Sequence, residues 1–334
     1  MTGPDATSST DRFRVVVTDH AYPDVSAERE VLGAVGATVH DAQARGRDEL
    51  IEAVRDADAV LVQFARIDAE VLAAMRRCRV VVRYGIGVDG VDLEAATEHG
   101  IPVANVPDYG LDEVADHAMT LLLALVRKLP QVAEQVRAGV WEPNPCRPLH
   151  SLRGRTLGLV GFGAIARRVA ARAHAFGLDV QAYDPYVEEG AFDAHGVTRA
   201  GWEDLLATSD FVSLHLPLSD ATHHMFDRDA FAAMKRGAFF VNTARGGLVR
   251  TEDLLAALDD GAVAGAALDV LEQEPPPQDA PVVQHPRTLV TSHCAWYTEE
   301  ARQRVQRFAA EEVARVLRGE GPKNLVNPAV AQKG

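Results

Sequence analysis

The sequence holds three cysteines, Cys78, Cys146 and Cys294, far apart and never in a CxxC spacing. So few thiols, so placed, exclude a disulfide framework and a structural zinc ribbon. The histidines supply no metal set either: His223 and His224 are adjacent, with no third ligand at helical or turn spacing. No metal is expected. Long apolar runs are also missing. The longest, around Leu121 to Val126, falls far short of the roughly 18 residues of a membrane span, so no membrane partner is expected. The first ten residues are small and polar, without the apolar core of a signal peptide. Residues 1–12 are read as a disordered tail and the chain as cytoplasmic. Positive charge is scarce: the net charge is -14, which argues against nucleic acid, since phosphate backbones require clustered cations.

What is present is alternation. Val15–Val17, Thr38–His40, Val60–Val62 and Val80–Val82 are short β-branched runs, separated by helical stretches at Ala27–Val35, Leu50–Val54 and Ala69–Met75. Continuous apolar strands between helices indicate a parallel sheet covered on both faces, in a flavodoxin-like pattern. A long apolar-periodic segment then runs from about Leu111 to Arg137, interrupted by Pro130, and gives way to the proline-rich Trp141–Pro145. A second α/β run follows, with strands expected at Leu157–Val160, Val180–Tyr183, Phe211–Leu214, Phe239–Asn242, Ala264–Ala267 and Leu289–Thr291. Six strands with intervening helices make a second doubly wound domain. A last helix is expected over Glu299–Leu317 and should return to the first domain.

The richest local signal opens that second run. Val160 is followed by Gly161, Phe162, Gly163, Ala164, Ile165 and Ala166, and Asp184 ends the next strand. A strand, a glycine turn, a helix start and an acid about 20 residues on is the layout that holds a dinucleotide. Gly161 allows the tight turn, Gly163 lets a pyrophosphate approach the backbone, and the helix opening at Ala164 and Ile165 presents unpaired N–H groups. Asp184 would accept from the adenine ribose hydroxyls. With no arginine in Pro185–Val187 to balance a 2′-phosphate, NAD is expected over NADP. Three later strand ends carry polar residues: Arg245 in NTARGGLV, the acids of ALDVLEQEPP, and His293 in SHCAWY. An arginine fork can clamp a carboxylate and its neighbouring carbonyl, and a histidine beside an acid can transfer protons.

The ordered set GFGAIA, YDP, NTARGGLV, ALDVLEQEPP and SHCAW resembles the D-isomer-specific 2-hydroxyacid dehydrogenases over nearly the whole chain, from about Val15 to Val326. The resemblance implies a Rossmann NAD domain inserted into a flavodoxin-like substrate domain. The substrate domain would be 13–106 with 298–334, and the NAD domain 107–297, including a dimerisation arm at about 111–150 that makes the protein a homodimer. The resemblance further implies that Arg245 orients the substrate carboxylate and carbonyl, that His293 is the acid/base, and that Glu274 is its carboxylate partner, with Glu272 a solvated neighbour. Asp269 would hold the nicotinamide carboxamide. Thr243, Ala244 and the loop from His215 through Pro217 to Thr222 would line the cofactor, with Gly161, Phe162, Gly163, Ala164, Ile165 and Asp184. Tyr84, Gly85, Ile86 and Gly87 match the family's substrate loop, where successive N–H groups would form an anion nest; Gly90 stands where the family usually has Asn.

The activity so implied is NAD-dependent reduction of a 2-oxo acid to a D-2-hydroxy acid. The aromatic pair Trp296-Tyr297 after the histidine is nearer in style to the C-terminal-binding-protein branch, which includes NAD-binding corepressors. An NAD(H)-sensing, partner-binding protein is therefore the alternative. The short stretch after the last helix, unlike the long tails of those corepressors, favours the enzyme. A third reading is phosphite oxidation within the same family; formate oxidation is disfavoured, because formate enzymes pair the histidine with Gln. Trp296 either walls the substrate pocket or packs on the final helix.

Overall fold

The computed structural model describes residues 12–142 and 147–332. Nearly all of the expected N-terminal tail, and Pro143 to Cys146 in the proline-rich stretch, lie outside the described residues. The chain divides into two compact units. The first comprises the described part of Met1–Gly110 with Thr298–Gly334, and the second Leu111–Tyr297.

In the first unit, strands and helices alternate from the start: β1 (Phe13–Val17), α1 (Ser26–Gly33), β2 (Ala37–Asp41), α2 (Arg47–Val54), β3 (Ala59–Val62), α3 (Ala69–Ala74), β4 (Val81–Arg83), α4 (Leu93–Glu98) and β5 (Val103–Ala104). The strands pair in parallel in the order β2-β1-β3-β4-β5, the flavodoxin-like order. Val15, Val16, Val60 and Val81 are fully buried, as strands covered on both faces must be. Asp68 and Asp92 cap α3 and α4 by accepting from their first-turn N–H groups.

The second unit begins with α5 (Leu111–Val126) and α6 (Leu129–Arg137). The long apolar segment breaks between them at Lys128, whose φ of 51° is left-handed, with Pro130 seated in the first turn of α6. Proline is tolerated there because its missing N–H would be unpaired anyway. Then follow β6 (Thr156–Val160), α7 (Ala164–Ala175), β7 (Asp179–Tyr183), α8 (Glu189–Asp193), β8 (Thr198–Arg199), α9 (Trp202–Thr208), β9 (Phe211–Leu214), α10 (Arg228–Ala233), β10 (Ala238–Asn242), α11 (Thr251–Asp259), β11 (Val263–Leu268), α12 (Pro281–Gln284) and β12 (Thr288–Val290). The parallel sheet has seven strands in the order β12-β11-β10-β9-β6-β7-β8. This is the Rossmann order with one strand, β12, added at one edge; β8, at the other edge and absent from the six strands expected from the sequence, is only two residues long. One face is covered by an apolar cluster that includes Leu122, Phe162 and Phe192, the other by one that includes Phe226, Phe231 and Phe240. The strand order reverses between β6 and β9, and ligands of such sheets gather outside the carboxyl ends at that reversal.

The last helix, α13 (Glu299–Leu317), belongs to the first unit and packs on α1. Gln306 donates to the Asp24 carbonyl at 2.9 Å and to the fully buried Glu28 carboxylate. Asn327 accepts from the Val103 N–H at 2.8 Å.

Candidate active site

The first polar feature at the sheet reversal is the turn after β6. Gly161 has φ of 88°, and a Cβ there would lie 2.6 Å from the His215 carbonyl oxygen. Only glycine satisfies both the left-handed backbone and that close passage between the ends of β6 and β9. Gly163 is the extended N-cap of α7 and has no side-chain cap. Gly163 and Ala164 are exposed, with Ile165 half-buried. The orphan N–H groups of the first turn thus sit at a helix end that accepts anionic groups.

Asp184 closes this turn. Its carboxylate accepts from the Phe162 N–H and the Tyr186 N–H, both at 2.9 Å. Phe162 departs from the sequence expectation that it contacts cofactor. Its ring is fully buried and stacks on Phe192 at 4.7 Å between centroids, and its N–H is spent on Asp184. It is a core residue that anchors the turn from beneath. The His215 ring lies 2.9 Å from the Ser213 hydroxyl, and burial pushes its pKa down to about 4. Thr222 donates to the Pro217 carbonyl at 2.8 Å, and the Ser219 N–H donates to Thr222 at 2.8 Å, which fixes the loop after β9.

The second feature spans three neighbouring strand ends, those of β10, β11 and β12. After β10, Asn242 shapes the turn: its side chain accepts from the Ala244 N–H at 2.9 Å and donates to the Arg245 carbonyl at 2.8 Å. Arg245 donates to the Ala244 carbonyl at 2.7 Å. Gly246 then packs against the loop after β11, where a Cβ would fall 2.0 Å from the Leu271 carbonyl carbon. Between these residues, the Thr243 hydroxyl oxygen is buried without a hydrogen-bond partner. A buried hydroxyl with no partner is costly, and it suits a site that a polar group of a ligand completes.

After β12, His293 has φ of 53°, and its N–H donates to the Asp269 carbonyl at 2.8 Å. A left-handed residue of this kind persists only where its surroundings over-determine it, and such residues concentrate at functional sites. The His293 Nδ1 lies 2.6 Å from Glu274 Oε2, and the other Glu274 oxygen accepts from the Leu271 N–H at 2.8 Å. Burial alone would raise the Glu274 pKa. The hydrogen bond and charge of His293, the Leu271 N–H and the charge of Arg245 outweigh it and hold the carboxyl below the usual range. His293 Nε2 has no hydrogen bond among the described residues. Arg245, Glu274 and His293 thus come from consecutive strand ends, with the carboxylate held against the imidazole and the guanidinium charge acting on that carboxylate.

Asp269 sits under this group, with 1% of its surface exposed. Its carboxylate accepts from the Thr291 hydroxyl at 2.5 Å, the Cys294 N–H at 3.0 Å and the Ala295 N–H at 2.8 Å. It therefore shapes the turn that carries His293. Neither Asn242 nor Thr291 stands out in the sequence as functional; the only trace is a turn-forming polar residue at the end of an apolar strand. Trp296 is half-buried and meets Tyr297 edge-on at 5.5 Å. Glu272 is no solvated bystander: it accepts from the Thr251 N–H at 2.7 Å, at the start of α11, and lies 2.6 Å from His224 Nε2.

In the first unit, the loop after β4 corrects two expectations. The Tyr84 side chain is buried and its hydroxyl donates to Glu28 at 2.7 Å. The Gly85 N–H donates to the Arg83 carbonyl at 2.9 Å, and a Cβ at Gly85 would collide with the Arg83 guanidinium. Tyr84 is therefore structural through its side chain, and the N–H at Gly85 is not open to an anion. Ile86 and Gly87 are half-buried, with the Ile86 carbonyl accepting from Asn105 at 2.7 Å.

Comparison with known proteins places this geometry in context. Residues 119–295 match the family model of the D-isomer specific 2-hydroxyacid dehydrogenase NAD binding domain. D-3-phosphoglycerate dehydrogenase of Methanocaldococcus jannaschii is 37% identical over 316 residues, covering 94% of this chain and 59% of that protein. Glyoxylate reductase of Korarchaeum cryptofilum is 40% identical over 287 residues, covering 85% of this chain and 86% of that one. The crystal structure of D-lactate dehydrogenase from Aquifex aeolicus, complexed with NAD and lactic acid, superposes with a TM-score of 0.84 at 26% identity, covering 94% of this chain and 99% of that chain. The chain spans about half the length of the phosphoglycerate dehydrogenases it matches.

Proposed function

The chain belongs to the D-isomer-specific 2-hydroxyacid dehydrogenases, a family of NAD-binding oxidoreductases, and on that premise we propose that it reduces a small 2-oxo acid to the D-2-hydroxy acid with NADH. The observation that carries this reading is the Glu274–His293–Arg245 group on three adjacent strand ends, with the 2.6 Å contact between His293 and Glu274. The glycine turn at Gly161, the open helix start at Gly163 and the orphaned Thr243 hydroxyl fit a dinucleotide. Gly161, Gly163, Ala164, Ile165 and Asp184 would hold its phosphates and ribose, and Thr243, Ala244, His215, Pro217, Thr222 and Asp269 would line the rest.

NADH, when bound, supplies the hydride that reduces the C2 carbonyl. The remaining steps belong to the chain's own residues. Arg245 pairs with the substrate carboxylate and polarises the carbonyl through its second N–H. His293, charged and held by Glu274, gives its Nε2 proton to the oxygen developing at C2. Glu274 fixes the ring orientation through the 2.6 Å contact with Nδ1. Ile86, Gly87 and Trp296 are assigned to substrate recognition. The acidic surface fits a soluble cytoplasmic protein, and the apolar stretch around α6 fits a homodimer.

The test is a panel of 2-oxo acids, from glyoxylate to phenylpyruvate, with NADH and with NADPH. The panel is broad because the relatives are named for different 2-hydroxy acids. Turnover with NADH is expected to exceed that with NADPH, and His293→Ala should lower kcat roughly 10²–10⁴-fold with NADH affinity near wild type. Wild-type turnover in that variant would overturn the assignment of His293. No turnover of any acid, with tight NADH binding, would turn the reading to an NAD-sensing, partner-binding protein.

A further inference from the structure

We propose that His117, Asp269 and Cys294 form a tridentate site for a zinc-class divalent transition ion, and that an ion bound there lowers turnover by reorganising the turn that carries His293. Nothing in the sequence spacing suggests it, because the three residues come from α5, the end of β11 and the turn after β12. In space their donor atoms all lie within 4.8 Å of one another. His117 Nε2 is 3.5 Å from Asp269 Oδ1, and Cys294 Sγ is 3.7 Å from the same oxygen. Metal–ligand bonds of about 2.0–2.3 Å at tetrahedral angles place donor atoms roughly 3.3–3.6 Å apart. The three groups therefore need only small side-chain shifts to close on one ion. A nitrogen, a carboxylate oxygen and a thiolate favour Zn²⁺, Co²⁺ or Cd²⁺ and disfavour Mg²⁺ and Ca²⁺, which take oxygen ligands. The fourth position would be left to water.

Without an ion, the same atoms are joined by weaker contacts. Cys294 donates to Asp269, and His117 Nε2 lies 3.1 Å from the Thr291 hydroxyl. On binding, the Cys294 thiol proton passes to solvent and the sulfur bonds to the ion. Asp269 Oδ1 must then leave the Thr291 hydroxyl and the Cys294 N–H. Those bonds, with the Asp269 carbonyl's hold on the His293 N–H, shape the turn in which His293 sits. The inhibition rests on the reading of His293 given above; the binding does not.

The test titrates the chelator-stripped wild-type chain with Co²⁺. A thiolate-to-cobalt charge-transfer band is expected to saturate at one ion per chain, to be displaced by Zn²⁺ and to be untouched by Mg²⁺. Cys294→Ser should abolish the band, and His117→Gln should weaken Co²⁺ binding by more than about ten-fold, with folding of both variants checked by circular dichroism. In the wild-type chain, Zn²⁺ should also protect Cys294 from alkylation, read by peptide mass, so the site stays testable if a variant does not fold. Zn²⁺ should lower 2-oxo acid turnover, and EDTA should restore it. No charge-transfer band, unchanged Co²⁺ affinity in His117→Gln, or unprotected Cys294 would overturn the site. Saturation with unchanged turnover would overturn the inhibitory half. A protein that binds Co²⁺ as described but reduces no 2-oxo acid would defeat the functional reading and leave the site standing.

Discussion

His293 and His215 show how one residue type takes opposite roles from its surroundings. His293 is about a third exposed and faces a carboxylate at 2.6 Å, so its charged form has a partner. His215 faces the Ser213 hydroxyl, and burial drives its pKa from the ordinary 6.5 to about 4. The consequence for stability follows from linkage. Between pH 6.5 and about 4 the unfolded chain protonates this histidine and the folded chain does not. Its contribution is therefore fully present above pH 6.5 and is lost as the pH falls through that window. The melting temperature of the wild-type protein should decline from pH 6.5 towards 4, and His215→Gln should flatten the upper part of that decline, before carboxylates such as Glu274 begin to titrate. Parallel melting curves for the two proteins across the window would show that the ring is protonated in the fold.

At the scale of elements, legibility follows length and chemistry. The runs Val15–Val17 and Val60–Val62 are visible as strands because their residues are buried on both faces and leave unbroken apolar stretches. Strands β5 and β8 hold two residues each, too few for any period. The motif residues Arg245, Glu274 and His293 are readable as types at strand ends. Their partners are less so, because the contact of Asp269 with Thr291 and the backbone beyond it depends on how β11 and β12 lie side by side. Phe162 and Tyr84 mislead for a related reason: each lies within a ligand-like motif, but its ring is large and apolar and the core takes it. The glycine turn allows a sharper test. Gly161→Ala would place a Cβ 2.6 Å from the His215 carbonyl at a φ of 88°. The left-handed backbone costs about 1–2 kcal/mol and the overpacking about 1–3 kcal/mol more, so thermal or urea unfolding should show a large loss of stability. Gly163→Ala meets nothing within 4 Å and has an ordinary φ of -77°. Its stability should stay within about 0.5 kcal/mol of wild type, while NADH affinity measured by fluorescence titration drops, because a methyl would stand where the pyrophosphate nears the backbone. Wild-type NADH affinity in Gly163→Ala would remove the turn from the cofactor site.

At the scale of the whole molecule, the telling surface lies along α6 and the segment after it. No residue of α6 is buried, although the helix follows α5, half of whose residues are. Leu129 is 61% exposed and Trp141 85%, and Val136, Val140 and Leu149 are exposed as well. Apolar groups gathered on one short stretch mark an interaction surface more often than chance exposure, and a second copy presenting the same stretch gives a closed, self-complementary pairing. The net charge of -14 works against association of copies through charged surface, so a pairing of copies would have to draw on apolar burial. Light scattering at micromolar concentration should therefore give the mass of two chains, at high and low salt alike. Replacing Leu129 and Trp141 together by aspartate should give the mass of one chain, without loss of folded structure, since neither side chain is buried in the chain's own core. A wild-type monomer, or a double variant that remains dimeric, would mean that this stretch is not where two copies meet.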